Sequence, residues 1–230
     1  MKRFLVTMLF LLTFVNTGFA NDGTLLHEKN VQNQIDLCGA KIMNSNQIKE
    51  PVVFVYGLNE KKNFLKSAQN VTSRQVIVYA NDYKYVSDEN ELAAFLSREI
   101  ALAVRSYDGI FKGMLRSLQM KASPKKFEIV ADKIAVDYMV KADYNPIALI
   151  TYIQKTSPQK RYDTISTKNL TSKRLAIIYE YIYTKYPYYL ANNTYINNEF
   201  YQRFLLTSQN NRRLLQEKIK NNSKENLKYE

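Results

Sequence analysis

The chain has 230 residues, 46% of them hydrophobic, one cysteine and a formal charge of +12. That length and apolar content suit one globular domain with a substantial core, and a single cysteine excludes an internal disulfide. The basic residues are spread along the sequence with no single basic motif, which argues against nucleic acid as a partner and leaves an anionic envelope surface open.

The N-terminus reads as a targeting segment. Lys2 and Arg3 form a positive start, Phe4 to Val15 an apolar run too short to span a bilayer comfortably, and Gly18-Phe19-Ala20 a small-residue cleavage site. Residues 1–20 are therefore expected to be a signal peptide, with an uncleaved anchor as the alternative. Removal of Lys2 and Arg3 leaves a mature charge of +10. The mature chain is expected in the periplasm or secreted, with no transmembrane segment after cleavage, because no later apolar run reaches spanning length. Export also carries the protein away from nucleic acid.

An amphipathic pattern predicts a helix from about Leu25 to Met43, which holds Cys38 either as a small buried side chain or as a reactive thiol. Pro51 precedes a strand, Val52–Tyr56, ended by Gly57. Gln75–Tyr79 is a second strand, rich in β-branched residues, and the polar stretch between the two reads as a loop. Asp88 with Glu91 three residues on is a capping box, predicting a helix from after Ser87 to about Tyr107. Ser123-Pro124 starts a helix that runs to about Lys141. Asp143-Tyr144-Asn145-Pro146 is a turn into a short helix ending near Lys155, and Pro158 to Leu170 is a loop. Thr171-Ser172 caps a helix through Tyr186, stopped by Pro187, and a last helix covers roughly Asn197 to Lys218. The charged end from Arg212 through Lys228 is expected to be a solvated helix that frays into disorder. The fold class is α+β, mostly helical, with a small early β-sheet packed on a helical core.

The helix after Ser87 is unusual. Between Leu92 and Val104 its residues are apolar or small except Ser97, Arg98 and Glu99. At about 100° per residue, Leu92, Phe95, Glu99, Leu102 and Ala103 share a face, with Arg98 at its margin. Such a helix is buried nearly all round, so Arg98 and Glu99 both need partners from elsewhere in the chain. Glu128 and Asp132, four apart among apolar neighbours on the next long helix, are the candidates.

Four short segments, in order, then carry a resemblance. Asp88–Leu96 is similar to the lead into a zinc helix. Glu128-Ile129-Val130-Ala131-Asp132-Lys133-Ile134-Ala135 resembles a Glu-x-x-Ala-Asp-x-x-Ala third-ligand motif. Ala142-Asp143-Tyr144-Asn145-Pro146 is similar to an Ala-Gly-Tyr-Asp-Pro turn, and Leu170–Leu175 to the segment that follows a late His-Pro. Over roughly Ile35 to Tyr186 the chain thus resembles the gluzincin-type zinc metallopeptidases of the CAAX prenyl protease, HtpX, Oma-type and BepA kind. The resemblance implies that Glu99 stands at the general-base position, Glu128 at the third zinc ligand, and Asp132 at the carboxylate that orients a ligand histidine. It puts Arg98 and Leu102 at the two histidine positions and Lys168-Asn169 at the late His-Pro.

The one histidine in the chain is His27, far upstream of these segments. Leucine offers no lone pair to a metal, and arginine stays protonated and repels one. A carboxylate from Glu128 is too small a ligand set for tight zinc, and without the ion Glu99 does not activate water at neutral pH. The zinc expected for the family is therefore predicted lost, and Arg98, Leu102 and Glu128 are vestigial metal-site positions. Arg98 is expected to take the place of the cation and pair with Glu128 and Asp132, so that Arg98→Ala destabilises more than Leu102→Ala.

On this resemblance residues 21–190 form a degenerate metallopeptidase-like domain, followed by a C-terminal helix and charged tail over 191–230. The leading expectation is an inactive, exported pseudopeptidase that binds a peptide or protein client or scaffolds envelope proteins. In the family an edge strand beside the zinc helix takes an extended peptide by strand addition; Gln75–Tyr79 matches its place, and ordinary core sheet is the other reading of that strand. Two different functions stay open. One is an active hydrolase with a non-standard site, for which Ser97 with a lysine is conceivable. The other is a basic surface-binding protein gripping glycan or lipid through the tyrosine-rich stretch Tyr179–Tyr189, whose tyrosines otherwise pack on the core.

Overall fold

The computed structural model describes residues 26–58, 64–107, 110, 112–122, 124–158 and 171–227. The targeting segment and the Lys168-Asn169 pair lie outside the described residues. The chain is mostly helical with a small parallel sheet placed early, the α+β class expected from sequence.

Helix α1 (26–45) buries Val31, Ile35, Cys38 and Ile42 along one face, a spacing of four, three and four residues. Strand β1 (Val53–Gly57) pairs in parallel with β2 (Gln75–Tyr79), from Val53 opposite Gln75 to Gly57 opposite Tyr79. Parallel neighbours need a crossover, and here it contains α2 (Phe64–Thr72), where sequence suggested only a loop. The apolar residues Phe64, Ala68 and Val71 do follow helical spacing, but the polar residues between them mask it. Helix α1 lies directly on β1. A Cβ on Gly39 would come within 2.6 Å of the Phe54 ring, so only glycine permits this approach. Gln32 of α1 also closes the outer edge of β1, donating to the Phe54 carbonyl (3.1 Å) and accepting from the Tyr56 amide (2.6 Å).

A short helix α3 (Ala80–Tyr83) links β2 to the central helix α4 (Glu89–Arg105). The Asp88 side chain accepts from the Glu91 amide (2.8 Å), and the Glu91 carboxylate accepts from the Ser87 amide (2.8 Å), so the capping box closes one residue further out than its usual form. Glu91 is fully buried, and Thr151 Oγ1 (2.7 Å) and Lys155 Nζ (2.6 Å) satisfy it. Gly113, at φ +62°, leads into α5 (Met114–Ala122), a helix the sequence reading did not anticipate.

Helix α6 (Pro124–Lys141) packs along α4 and ends in a turn with Asp143 at φ +57°. Helices α7 (Ala148–Thr156) and α8 (Thr171–Lys185) follow, then the short α9 (Pro187–Ala191). The last expected helix is two, α10 (Glu199–Thr207) and α11 (Gln209–Lys220). They break at Ser208 (φ −102°, ψ 10°), whose hydroxyl donates to the Phe204 carbonyl at 2.6 Å. The charged end begins as a helix, and residues 221–227 lie beyond it. Helix α11 runs to Lys220, anchored by buried Leu215 and a 3.1 Å ion pair from Lys218 to Glu180. One contiguous core extends from Val31 to Phe204, with α4 at its centre. Among the described residues no helix is long and apolar enough to cross a membrane.

Candidate functional site

Three helices bring four charges together. Glu128 and Asp132 stand one turn apart on α6 and so face the same way. Arg98 reaches them from α4 and Arg174 from the first turn of α8. Arg98 Nε donates to Asp132 Oδ1 at 2.7 Å, and its Nη2 donates to Glu128 Oε2. Arg174 holds Asp132 in a fork, Nε to Oδ2 at 2.8 Å and Nη2 to Oδ1 at 2.9 Å, with Nη2 also 3.1 Å from Glu128 Oε2. Asp132 is 1% exposed and accepts three charge-assisted hydrogen bonds, while Glu128 keeps 30% of its surface in water. Burial works against the charged Arg98, but Glu128, then Asp132 and Glu99, outweigh it and hold its pKa above the ordinary arginine value.

Arg174 did not stand out as a site residue in the sequence, although a signal was present. The buried stripe of α8 runs through Thr171, Leu175, Ile178 and Ile182, and Arg174, four before Ile178, falls beside that stripe.

Leu102 is one turn beyond Arg98 on α4. It sits in a small apolar cluster with Ala101, Met120 and Ala131. Glu99 departs from expectation: it makes no hydrogen bond or ion pair among the described residues. Next to Arg98 on α4, it lines a cleft that Arg98 also borders. Ser97 is fully buried and its hydroxyl has no partner among the described residues, so no lysine is placed on it as a serine–lysine mechanism requires. His27 is exposed near the start of α1.

The donor set does not fit zinc. Two guanidinium groups occupy the α6 carboxylates, and α4 offers an arginine and a leucine at the positions where the resemblance would ask for imidazoles. Among the described residues no three His, Cys, Asp or Glu side chains converge on one point.

The cleft beside Glu99 has a volume of about 330 Å³ and lies between α2, β2, α4 and α7. Its β2 wall is made by Gln75, Ile77 and Tyr79, the alternate residues whose neighbours Val76 and Val78 enter the core. Phe95 and Tyr152 close its floor in an edge-to-face contact at 5.8 Å. Burial, and then Asp82, raise the Tyr152 pKa above the ordinary tyrosine value. The backbone of β2 is also aimed at this side. The Val53 amide donates to the Arg74 carbonyl (3.0 Å), which fixes the phase of the parallel ladder. Even-numbered β2 residues therefore bond β1, and the N–H and C=O groups of Gln75 and Ile77 point to the opposite edge. Among the described residues nothing is hydrogen-bonded to them there.

The remaining candidates are structural in their placement. Tyr181 and Tyr186 donate to Asp137 (2.9 and 2.7 Å), joined by Lys185 Nζ at 2.9 Å, and Tyr179 and Tyr189 pack against the core while Tyr188 is exposed. Cys38 is buried, and that burial pushes its thiol up to about 11. No protein-family model matches the chain, and neither a curated protein nor a solved structure does.

Proposed function

We propose that the protein is an exported, catalytically inactive relative of the zinc metallopeptidases that holds an extended peptide or unfolded client in the cleft between α4 and β2. The observation that carries this reading is the clasp of Glu128 and Asp132 by Arg98 and Arg174 beside an open strand edge. The acids that a peptidase would offer to a metal are neutralised by protein cations, while Gln75 and Ile77 keep main-chain donors and acceptors turned toward a peptide-sized cleft. A strand laid there gains backbone hydrogen bonds without sequence demands, and the apolar surface of Ile77 and Phe95 in the cleft is open to its apolar side chains.

Fluorescein-labelled casein, an unfolded chain, tests this by anisotropy and by release of fragments. Binding without cleavage is expected. Ile77→Pro removes the outward amide while the ladder to β1 uses other residues, so it weakens binding about tenfold or more, whereas Ile77→Ala retains the amide and most of the affinity. Cleavage of casein that Glu99→Gln abolishes would overturn the inactive reading, and undiminished binding by a folded Ile77→Pro would overturn strand addition.

A further inference from the structure

Some of the basic residues that look scattered in sequence fall on or beside one pair of packed helices. Among the described residues, 64–81 carry Lys66 and Arg74, and 106–122 carry Lys112, Arg116 and Lys121, with no acid among them. They provide α2 and α5, which pack together. Thr72 Oγ1 donates to Ser117 Oγ (2.9 Å), Tyr107 donates to the Thr72 carbonyl (2.9 Å), and the Arg74 guanidinium lies 4.5 Å from the Tyr107 ring centre.

The same two helices and the segment between Tyr107 and Met114 also expose apolar side chains. Ile110 is 96% exposed, Leu115 63% and Leu65 59%, with Met114 and Tyr107 also open to solvent. Exposed Lys112 lies between Ile110 and Met114 in sequence, and Lys66 follows Leu65. Single exposed apolar residues need no explanation, but several on one strongly cationic face do.

We propose that the α2–α5 face docks on an anionic lipid bilayer, with Ile110 and Leu115 entering the acyl boundary and Lys112 and its cationic neighbours meeting headgroups. The two kinds of side chain together favour this occupant. A soluble polyanion would satisfy the cations and leave the apolar residues in water, and a neutral apolar partner would gain nothing from the charge. Helix α2 also forms one wall of the cleft through Ser67 and Asn70, so docking would bring the cleft close to the bilayer. The inference stands apart from the peptide reading, and either can fail alone.

The chain has no tryptophan, so Ile110→Trp is a unique fluorophore on this face. In the full chain, vesicles of phosphatidylcholine with phosphatidylglycerol should shift its emission to the blue and make it quenchable by brominated acyl chains. Phosphatidylcholine alone should do neither. Leu206→Trp, 77% exposed on α10, should stay unshifted with either vesicle. Adding Lys112→Glu to Ile110→Trp should raise the lipid needed for half the shift about tenfold. No shift at position 110, an equal shift with neutral vesicles, or an equal shift at position 206 overturns the proposal. So does binding to soluble polyphosphate that matches vesicle binding while the tryptophan stays wet, which assigns the face to a polyanion instead.

Discussion

The arginine pair gives a quantitative test of what holds α4, α6 and α8 together. In Arg98→Met or Arg174→Met the side-chain stem is retained and one cation is lost. Either variant leaves Asp132 still bonded by the other guanidinium, so the loss is that of charge-assisted hydrogen bonds, about 1.5–3 kcal/mol. The double variant differs in kind. Asp132, 1% exposed, then has no cation among the described residues, and an uncompensated buried charge costs about 3–5 kcal/mol by itself. The double variant should therefore lose more than the two singles together, by about 1 kcal/mol or more. Adding Asp132→Asn to the double variant should recover much of the loss, because it removes the stranded charge and leaves the shape. Urea denaturation at neutral pH followed by circular dichroism supplies all four free energies. Strict additivity with no recovery from Asp132→Asn would mean that packing of the stems, and not charge, unites the three helices. Arg174 also narrows the sequence-based ordering of Arg98→Ala against Leu102→Ala. Loss of a buried leucine costs about 2–5 kcal/mol, and with Arg174 still in place the arginine no longer strands both acids.

Two other outcomes are expected. Arg98→His with Leu102→His puts imidazoles four residues apart on α4; if the scaffold is that of a gluzincin, the folded double variant should take up about one zinc per chain by metal analysis, with a cobalt form showing tetrahedral absorption bands. A folded variant that binds neither ion sinks the family resemblance. The second outcome concerns alkaline pH. Burial holds the Cys38 thiol up to about 11 against 9.0 for a free thiol, so above pH 9 the unfolded chain releases this proton first and the native state loses stability as pH rises toward 11. Buried Tyr144, also raised above the ordinary tyrosine value by burial and by its hydrogen bond to Glu89, acts in the same sense. The urea midpoint should fall across that window, and Ellman's reagent at pH 8 should label Cys38 only as the chain unfolds; rapid labelling of the native protein would contradict the burial.

Most of the frame was legible because its signals are local. The β-branched run at Gln75–Tyr79, the cap at Asp88 and the Pro124 start each depend on neighbours within a few residues. Arg98 against Glu128 and Asp132 was also reachable, since two charges in an apolar helix demand partners and few buried acids were on offer. Helices α2 and α5 were not legible, because their apolar positions are few and polar residues dominate both; tertiary packing stabilises them more than propensity does. Arg174 was missed for a different reason. Its partner lies 42 residues away, and nothing in the local pattern tells an arginine beside a buried stripe from one that snorkels to water. The break at Ser208 depends on one hydroxyl returning to the Phe204 carbonyl, a choice the helical period does not record.

Charge balance decides what the site has left to work with. One guanidinium against Glu128 and Asp132 would leave a net negative charge between three packed helices; two make the cluster neutral and saturate Asp132. A neutral, saturated cluster is a poor acid, base or ligand, since any such role would first have to break it. Glu99 is in the opposite condition. It lies next to Arg98 in sequence, yet its carboxylate faces the cleft with no hydrogen bond or ion pair among the described residues. The acids of the site are thus divided, with the α6 pair committed to holding helices and Glu99 free to meet a ligand. An amide or ammonium group of a bound chain is the natural complement of that carboxylate. Glu99→Gln should then weaken peptide binding while leaving the unfolding midpoint nearly unchanged, the reverse of what Arg98→Met does.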